Sequence, residues 1–232
     1  MTTVFGLLHG GMHGSWCFER LRRALHSRGH ETIAVDMAFD DPAVSITEHA
    51  EHVATELASH TDVVLVAHSL GGLIAPVVAR LRPLRHLILL NAVVPEPGSS
   101  STEQNLDPQV AGPSTLVRDA LIQCGNASLR FASADALGQY LYQDCGAAVV
   151  RWAWERVVPL AATVGNEVTP LNSWPAVPTT SILGTADLAI SPEWGRVAAE
   201  RIGAPYIELS GASHSPFASR PAELASLLSA IA

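Results

Sequence analysis

Asp62-Val63-Val64-Leu65-Val66-Ala67-His68-Ser69-Leu70-Gly71-Gly72 changes character at its centre. Asp62 to Ala67 is a short continuous apolar run, the pattern of a strand buried on both faces. From Leu70 to Leu81 the chain reads as a helix. A serine therefore sits where a buried strand turns into a helix. So tight a turn admits only small side chains two residues before and two after the serine, and those positions hold Ala67 and Gly71. Alanine stands at the first of them, where the usual pattern has glycine. Such a turn lifts Ser69 Oγ above the C-terminal edge of the sheet and aims the Leu70 N–H at the same point.

Upstream of this turn, strands alternate with helices. Thr3 to His9 is a β-rich run ending at Gly10-Gly11, and a helix follows from about Ser15 to Ser27, closed by Gly29. Glu31 to Asp36 reads as a second strand. Ser45-Ile46-Thr47-Glu48 has capping-box spacing, so a helix is expected from there to about Ser59. Arg85 to Leu90 is another buried strand. Downstream, alternation resumes with a strand at Thr179–Leu183 and a helix from Ser191-Pro192 to about Ile202. A strand at Tyr206–Leu209 and a last helix from about Arg220 follow. Alternation of this kind predicts a parallel sheet of about six strands with right-handed crossovers. From Val94 to Pro178 no strand is evident. Helical patches at Thr115–Gln123, Ala134–Gln143 and Ala147–Val158 predict a helical cap over residues 94–177, inserted between the fourth and fifth strands. The core would comprise 1–93 and 178–232.

Composition limits the chemistry. The 232 residues are 48% hydrophobic and only 16% charged, enough for one large core. The net charge is −8, which disfavours nucleic acid and anionic membranes as partners. All fourteen basic residues are arginines. Without lysine there is no Schiff base, no PLP anchor and no P-loop lysine. Cys17, Cys124 and Cys145 lie far apart and form neither a C-x-x-C pair nor a zinc-site spacing, so free thiols in a reducing compartment are expected. No basic n-region opens the sequence and no run approaches the ~18 apolar residues of a membrane span. These features read as a cytoplasmic protein, with no metal and no cofactor expected, as a monomer or homodimer.

A serine hydroxyl needs a base. Among ten histidines, His214 stands out, because Ser210-Gly211-Ala212-Ser213-His214-Ser215-Pro216 is a flexible loop after the last strand, at the same sheet edge as Ser69. His68 is expected to point away from the turn, and His9 and His13 lie across Gly10-Gly11, where a metal-binding helix is implausible. His49 and His52 are expected to be solvated, and His26, His30, His60 and His86 to be surface residues. The acid that orients the base should be Asp187, which follows the Thr179–Leu183 strand through Gly184-Thr185-Ala186. Glu96 is the rival, set aside for its proline-rich surroundings, and Asp36 reads as structural or pocket-lining. The second oxyanion donor, beside the Leu70 N–H, is assigned to the Gly11 N–H in the loop after the first strand.

With these residues in place, the chain resembles an α/β-hydrolase, and within that fold the branch of plant methyl esterases, hydroxynitrile lyases and small bacterial esterase-like relatives. The resemblance rests on His9-Gly10-Gly11-Met12-His13-Gly14-Ser15-Trp16, Ala67-His68-Ser69-Leu70-Gly71-Gly72, Gly184-Thr185-Ala186-Asp187 and Gly211-Ala212-Ser213-His214-Ser215. It implies a triad of Ser69, Asp187 and His214 with Gly11 and Leu70 as oxyanion donors. Hydroxynitrile lyases of this branch carry a lysine after the histidine and a threonine beside the oxyanion donor; here Ser215 and Gly10 stand there. The expected function is hydrolysis of an ester or lactone bearing a small hydrophobic group. Met12, Trp16, Tyr140, Trp152 and Trp154, with Leu137 and Leu141, are the candidate pocket residues. An acyltransferase, a lyase, a cofactor-free oxygenase or a catalytically silent ligand binder are the alternatives on the same fold.

Overall fold

A computed structural model describes residues 2–106, 117, 120–125 and 128–232. Six parallel strands form the central sheet in the order β2-β1-β3-β4-β8-β9. They are β1 (Val4–Leu8), β2 (Glu31–Val35), β3 (Val63–His68), β4 (His86–Leu90), β8 (Thr179–Gly184) and β9 (Tyr206–Leu209). β3 lies in the middle and is buried along its whole length, which is why its sequence runs apolar without alternation. Its residues still alternate between two packed layers. Val64 and Val66 face the layer holding Leu21 and Leu25 of α1 (Glu19–His26). Leu224 and Leu228 of α9 (Pro221–Ile231) complete that side. Val63, Leu65 and Ala67 face the opposite layer, with Ile46, Ala50 and Val53 of α2 (Ile46–Glu56) and Leu73 of α3 (Gly71–Leu81). Trp194 of α7 (Pro192–Arg201) packs into this layer too.

Local signals placed these elements within a few residues. Ser45 accepts from the Glu48 N–H while Glu48 accepts from the Ser45 N–H, a complete capping box. Ser191 caps α7, with Pro192 in its first turn. The helix expected from Ser15 opens instead as a short 3₁₀ turn, Ser15–Phe18, before α1. Asp36 explains the start, since its carboxylate accepts from the Ser15 N–H at 2.6 Å and hydroxyl at 2.8 Å. A further short helix, α8 (Pro216–Ser219), follows His214.

The segment between β4 and β8 corrects the expectation of a strand-free, helical insertion. It carries α4 (Ser101–Leu106), α5 (Ala134–Leu141) and α6 (Ala147–Trp154). It also carries a small antiparallel sheet of β5 (Leu121–Cys124), β6 (Ser128–Phe131) and β7 (Leu160–Ala161). The helix expected over Thr115–Gln123 lies partly outside the described residues, and its end is β5. Four- and two-residue strands are too short for a period to emerge. Only Leu129-Arg130-Phe131, apolar-polar-apolar with Arg130 exposed, carries the strand signal. No helix among the described residues is long and apolar enough to cross a membrane.

Candidate active site

Parallel register brings the candidate residues to one edge. Leu8 pairs with Ala67, His68 with Leu90, Leu90 with Ile182, and Gly184 with Leu209. The loops after β1, β3, β4, β8 and β9 therefore leave the sheet side by side, and they carry Gly11, Ser69, Asn91, Asp187 and His214.

Ser69 has φ +51°, a left-handed conformation rare for a residue with a side chain. Hydrogen bonds hold it there: its N–H donates to Leu90 O at 3.3 Å, and its carbonyl accepts from Gly72 N at 3.0 Å and Val93 N at 2.9 Å. The small residues after it are required by close approach. A Cβ on Gly71 would stand 2.9 Å from His9 O, and one on Gly72 would stand 2.1 Å from Val93 O. Gly10 is under the same constraint from the facing loop, where a Cβ would lie 2.5 Å from Ser69 Cβ and 3.1 Å from its Oγ. The threonine of the lyase pattern has no room at this position.

His214 and Asp187 are almost wholly buried, with His214 Nδ1 2.8 Å from Asp187 Oδ2. A carboxylate only accepts, so Nδ1 carries the proton and Nε2 keeps its lone pair. Asp187 Oδ1 accepts from Ala189 N at 2.7 Å and Ile190 N at 2.9 Å, which fixes the carboxylate. No hydrogen bond joins Ser69 to His214 among the described residues, and nucleophile–base bonds commonly tighten only with substrate in place. Both line one cavity of about 190 Å³, together with Gly11, Leu70 and Met12. Among the described residues neither the Gly11 nor the Leu70 N–H has a hydrogen-bond partner.

Two buried histidines shape the Gly11 loop. His9 Nδ1 lies 2.8 Å from Gly10 O, and its Nε2 accepts from Met37 N at 2.8 Å. In a trans peptide the carbonyl and the following N–H point in opposite directions. Holding Gly10 O toward His9 therefore turns the Gly11 N–H the other way. His13 Nδ1 lies 2.8 Å from Gly11 O and its Nε2 2.6 Å from the Tyr142 hydroxyl. Burial keeps both rings neutral, lowering the His9 pKa and pushing His13 down to about 3. His68 also loses basicity by burial, with His214 and His13 nearby adding to the effect. Its Nε2 donates to His214 O at 2.9 Å.

Other expectations fare differently. Met12 and Leu141 line the cavity, whereas Leu137, Trp16, Tyr140, Trp152 and Trp154 do not. The aromatic residues pack between the inserted helices and the core instead, as in the edge-to-face pair of Trp16 and Trp152 at 5.1 Å. The cavity wall comes from the small sheet that periodicity missed: Leu121 on β5, Leu129 and Phe131 on β6, Leu160 on β7. Glu96 pairs with Arg201 at 3.2 Å and Asp36 holds Ser15, so neither meets His214. His49 is buried against Phe39 at 5.0 Å, not solvated. It falls on the apolar face of α2 with Ile46, Ala50 and Val53, a signal present in the spacing.

A parallel sheet flanked by helices, with a serine at a strained strand-to-helix turn and a buried His–Asp pair at the same edge, defines a hydrolase-type α/β architecture. The chain belongs to the alpha/beta hydrolase family, whose model matches residues 7–227. It is 35% identical over 107 residues to the carbendazim hydrolyzing esterase of Nocardioides sp. (strain SG-4G), covering 41% of this chain and 44% of that protein. It is 33% identical over 105 residues to methyl jasmonate esterase 1 of Vitis vinifera, covering 40% of each. These matches thus span less than half of either relative. Among solved structures, the pyrethroid hydrolase of Sphingobium faniae JZ-2 superposes with a TM-score of 0.83 at 22% identity, covering 100% of this chain and 97% of that one.

Proposed function

We propose that the protein is a serine hydrolase that cleaves a carboxylic ester or lactone carrying a small apolar group. The observation that carries this reading is the buried 2.8 Å His214–Asp187 hydrogen bond, set in the wall of the cavity that Ser69 also lines. The two relatives named as esterases support it. In the proposed mechanism His214 Nε2 takes the Ser69 proton as the hydroxyl attacks the carbonyl carbon. The N–H groups of Gly11 and Leu70 receive the oxyanion. Protonated His214 then gives its proton to the leaving alkoxide, and the acyl group stays on Ser69. Water, deprotonated by the same ring, releases the acid and restores the serine.

The described residues within 94–177 act in this reading as the cap over the cavity. A volume of about 190 Å³ is smaller than the ~300 Å³ lower end of drug-sized pockets, which favours a small acyl group. Its described lining includes no Asp, Glu or Arg, which favours an uncharged one. The free thiols of Cys17, Cys124 and Cys145 favour a reducing, cytoplasmic setting. Hydrolysis of p-nitrophenyl esters of increasing acyl length tests the reading, with wild type beside Ser69→Ala. Wild type should turn over the short esters, and Ser69→Ala should lose about 10⁴-fold or more in kcat. A wild type without turnover, or a variant with wild-type rates, rejects it.

A further inference from the structure

We infer that Asn91 is the positioning residue that holds the His214–Asp187 pair in register with Ser69; the inference rests on the hydrolase reading above. Asn91 directly follows β4, in the middle of the sheet edge, and is 2% exposed. Its side-chain oxygen accepts from Gly184 N at 2.7 Å, and Gly184 O in turn accepts from Asp187 N at 3.2 Å. Its side-chain nitrogen donates to Ser213 O at 3.0 Å and His214 O at 3.2 Å. One amide thus ties the loop that carries the acid to the loop that carries the base. His68 adds a second donor to His214 O at 2.9 Å. The backbone around Asn91 grips the third partner, since Leu90 O accepts from Ser69 N and Val93 N donates to Ser69 O.

No other side chain fits this place. The partners are one N–H and two carbonyl oxygens, so a short group must accept on one side and donate twice on the other. Aspartate would set an oxygen against both carbonyls. Asn91 also has φ +44°, a conformation that asparagine, aspartate and glycine tolerate best. The space is closed: a Cβ on Gly184 would meet Ala212 O at 2.7 Å, Ser213 O at 2.8 Å and the Asn91 side-chain nitrogen at 3.2 Å. Packing this dense transmits a displacement of Asn91 to both loops.

Asn91→Gly keeps the backbone conformation and deletes the side chain; Asn91→Asp keeps the shape and deletes the donor. Both are assayed in the full chain for kcat and KM on p-nitrophenyl butyrate, for the rate of Ser69 labelling by a fluorophosphonate, and for the downfield proton resonance of His214 Nδ1–H. The expected result is a loss of about tenfold to 100-fold in kcat with KM within about twofold, because misplacement acts on the transition state. Labelling should slow in parallel and the downfield resonance broaden. Variants that keep kcat, labelling and resonance while only their Tm falls would overturn the inference. If neither variant folds, wild type decides by the hydrogen exchange of its Asn91 side-chain amide. Protection matching that of His214 Nδ1–H supports the role, and fast exchange overturns it. A wild type inactive on every ester, yet with a resonance that Asn91→Gly broadens, rejects the ester reading and keeps the clamp.

Discussion

Replacing Asp187 by asparagine sets two hydrogen-bonding demands against each other. Asp187 Oδ1 accepts from two backbone N–H groups, at 2.7 and 2.9 Å, and Oδ2 accepts from His214 Nδ1 at 2.8 Å. An amide offers one acceptor and one donor. With its oxygen on the two N–H groups, its NH₂ faces Nδ1, which must then accept. The ring proton moves to Nε2, and the base is blocked. Turned over, the amide restores the tautomer but presents NH₂ to two buried N–H groups. Each orphaned N–H costs about 1–3 kcal/mol, so the productive form lies about 2–6 kcal/mol uphill. At about 1.36 kcal/mol per tenfold, kcat should fall by about 30-fold to about 3 × 10⁴-fold. KM should hold within about twofold, since no side chain lining the cavity is replaced. Steady-state kinetics on a p-nitrophenyl ester, with circular dichroism to confirm folding, reads both numbers. A folded Asp187→Asn enzyme with kcat within about threefold of wild type would refute the reasoning.

Three further outcomes follow from the same geometry. Gly10→Ala should cut kcat by about 100-fold or more, because its Cβ cannot coexist with Ser69 Cβ at 2.5 Å without moving the loop that carries Gly11; unchanged kinetics would show that the loop yields at no cost. Acid should destabilise the fold through His13, whose ring is neutral when folded (pKa about 3) and takes a proton when unfolded at the ordinary value of 6.5. Stability is therefore lost as pH falls through 6.5 and the loss levels off near 3. At about pH 4.5 His13 accounts for about 3 kcal/mol of this loss, and urea unfolding of His13→Gln should show that much less acid sensitivity. Leu129→Trp should shift the acyl-length optimum toward shorter esters by filling the cavity, while Trp152→Ala should lower Tm and leave that optimum in place. A shift in the optimum for Trp152→Ala would return the tryptophans to the pocket wall.

Much of the architecture was legible because its signals are local. A run of valines and leucines flanked by a small-residue turn, a capping box at Ser45 and a proline after Ser191 each depend on neighbours within a few positions. Ser69, Asp187 and His214 are legible as candidates because each follows a strand, and a parallel sheet brings the loops after its strands to one edge. His49, expected in solvent, is buried, and its helical spacing already places it among Ile46, Ala50 and Val53. The small sheet of β5, β6 and β7 is not legible because two to four residues carry no period, so the candidate pocket residues do not include Leu121, Leu129, Phe131 and Leu160, which line the cavity beside Met12 and Leu141.

Sequence alone supplies the candidate groups for chemistry: a serine at a tight turn, a histidine and an aspartate in loops after strands, and no lysine anywhere. It settled strand direction as well, since alternating strands and helices leave the connections no other economical path. Tertiary structure alone decided which neutral groups hold those atoms in place. Asn91, His68, His9 and His13 act through hydrogen bonds to carbonyl oxygens, and several of these lie far away in the chain. For Asn91 and His68, which carbonyl comes within about 3 Å of the side chain depends on register and packing across several strands. No short-range pattern encodes that distance.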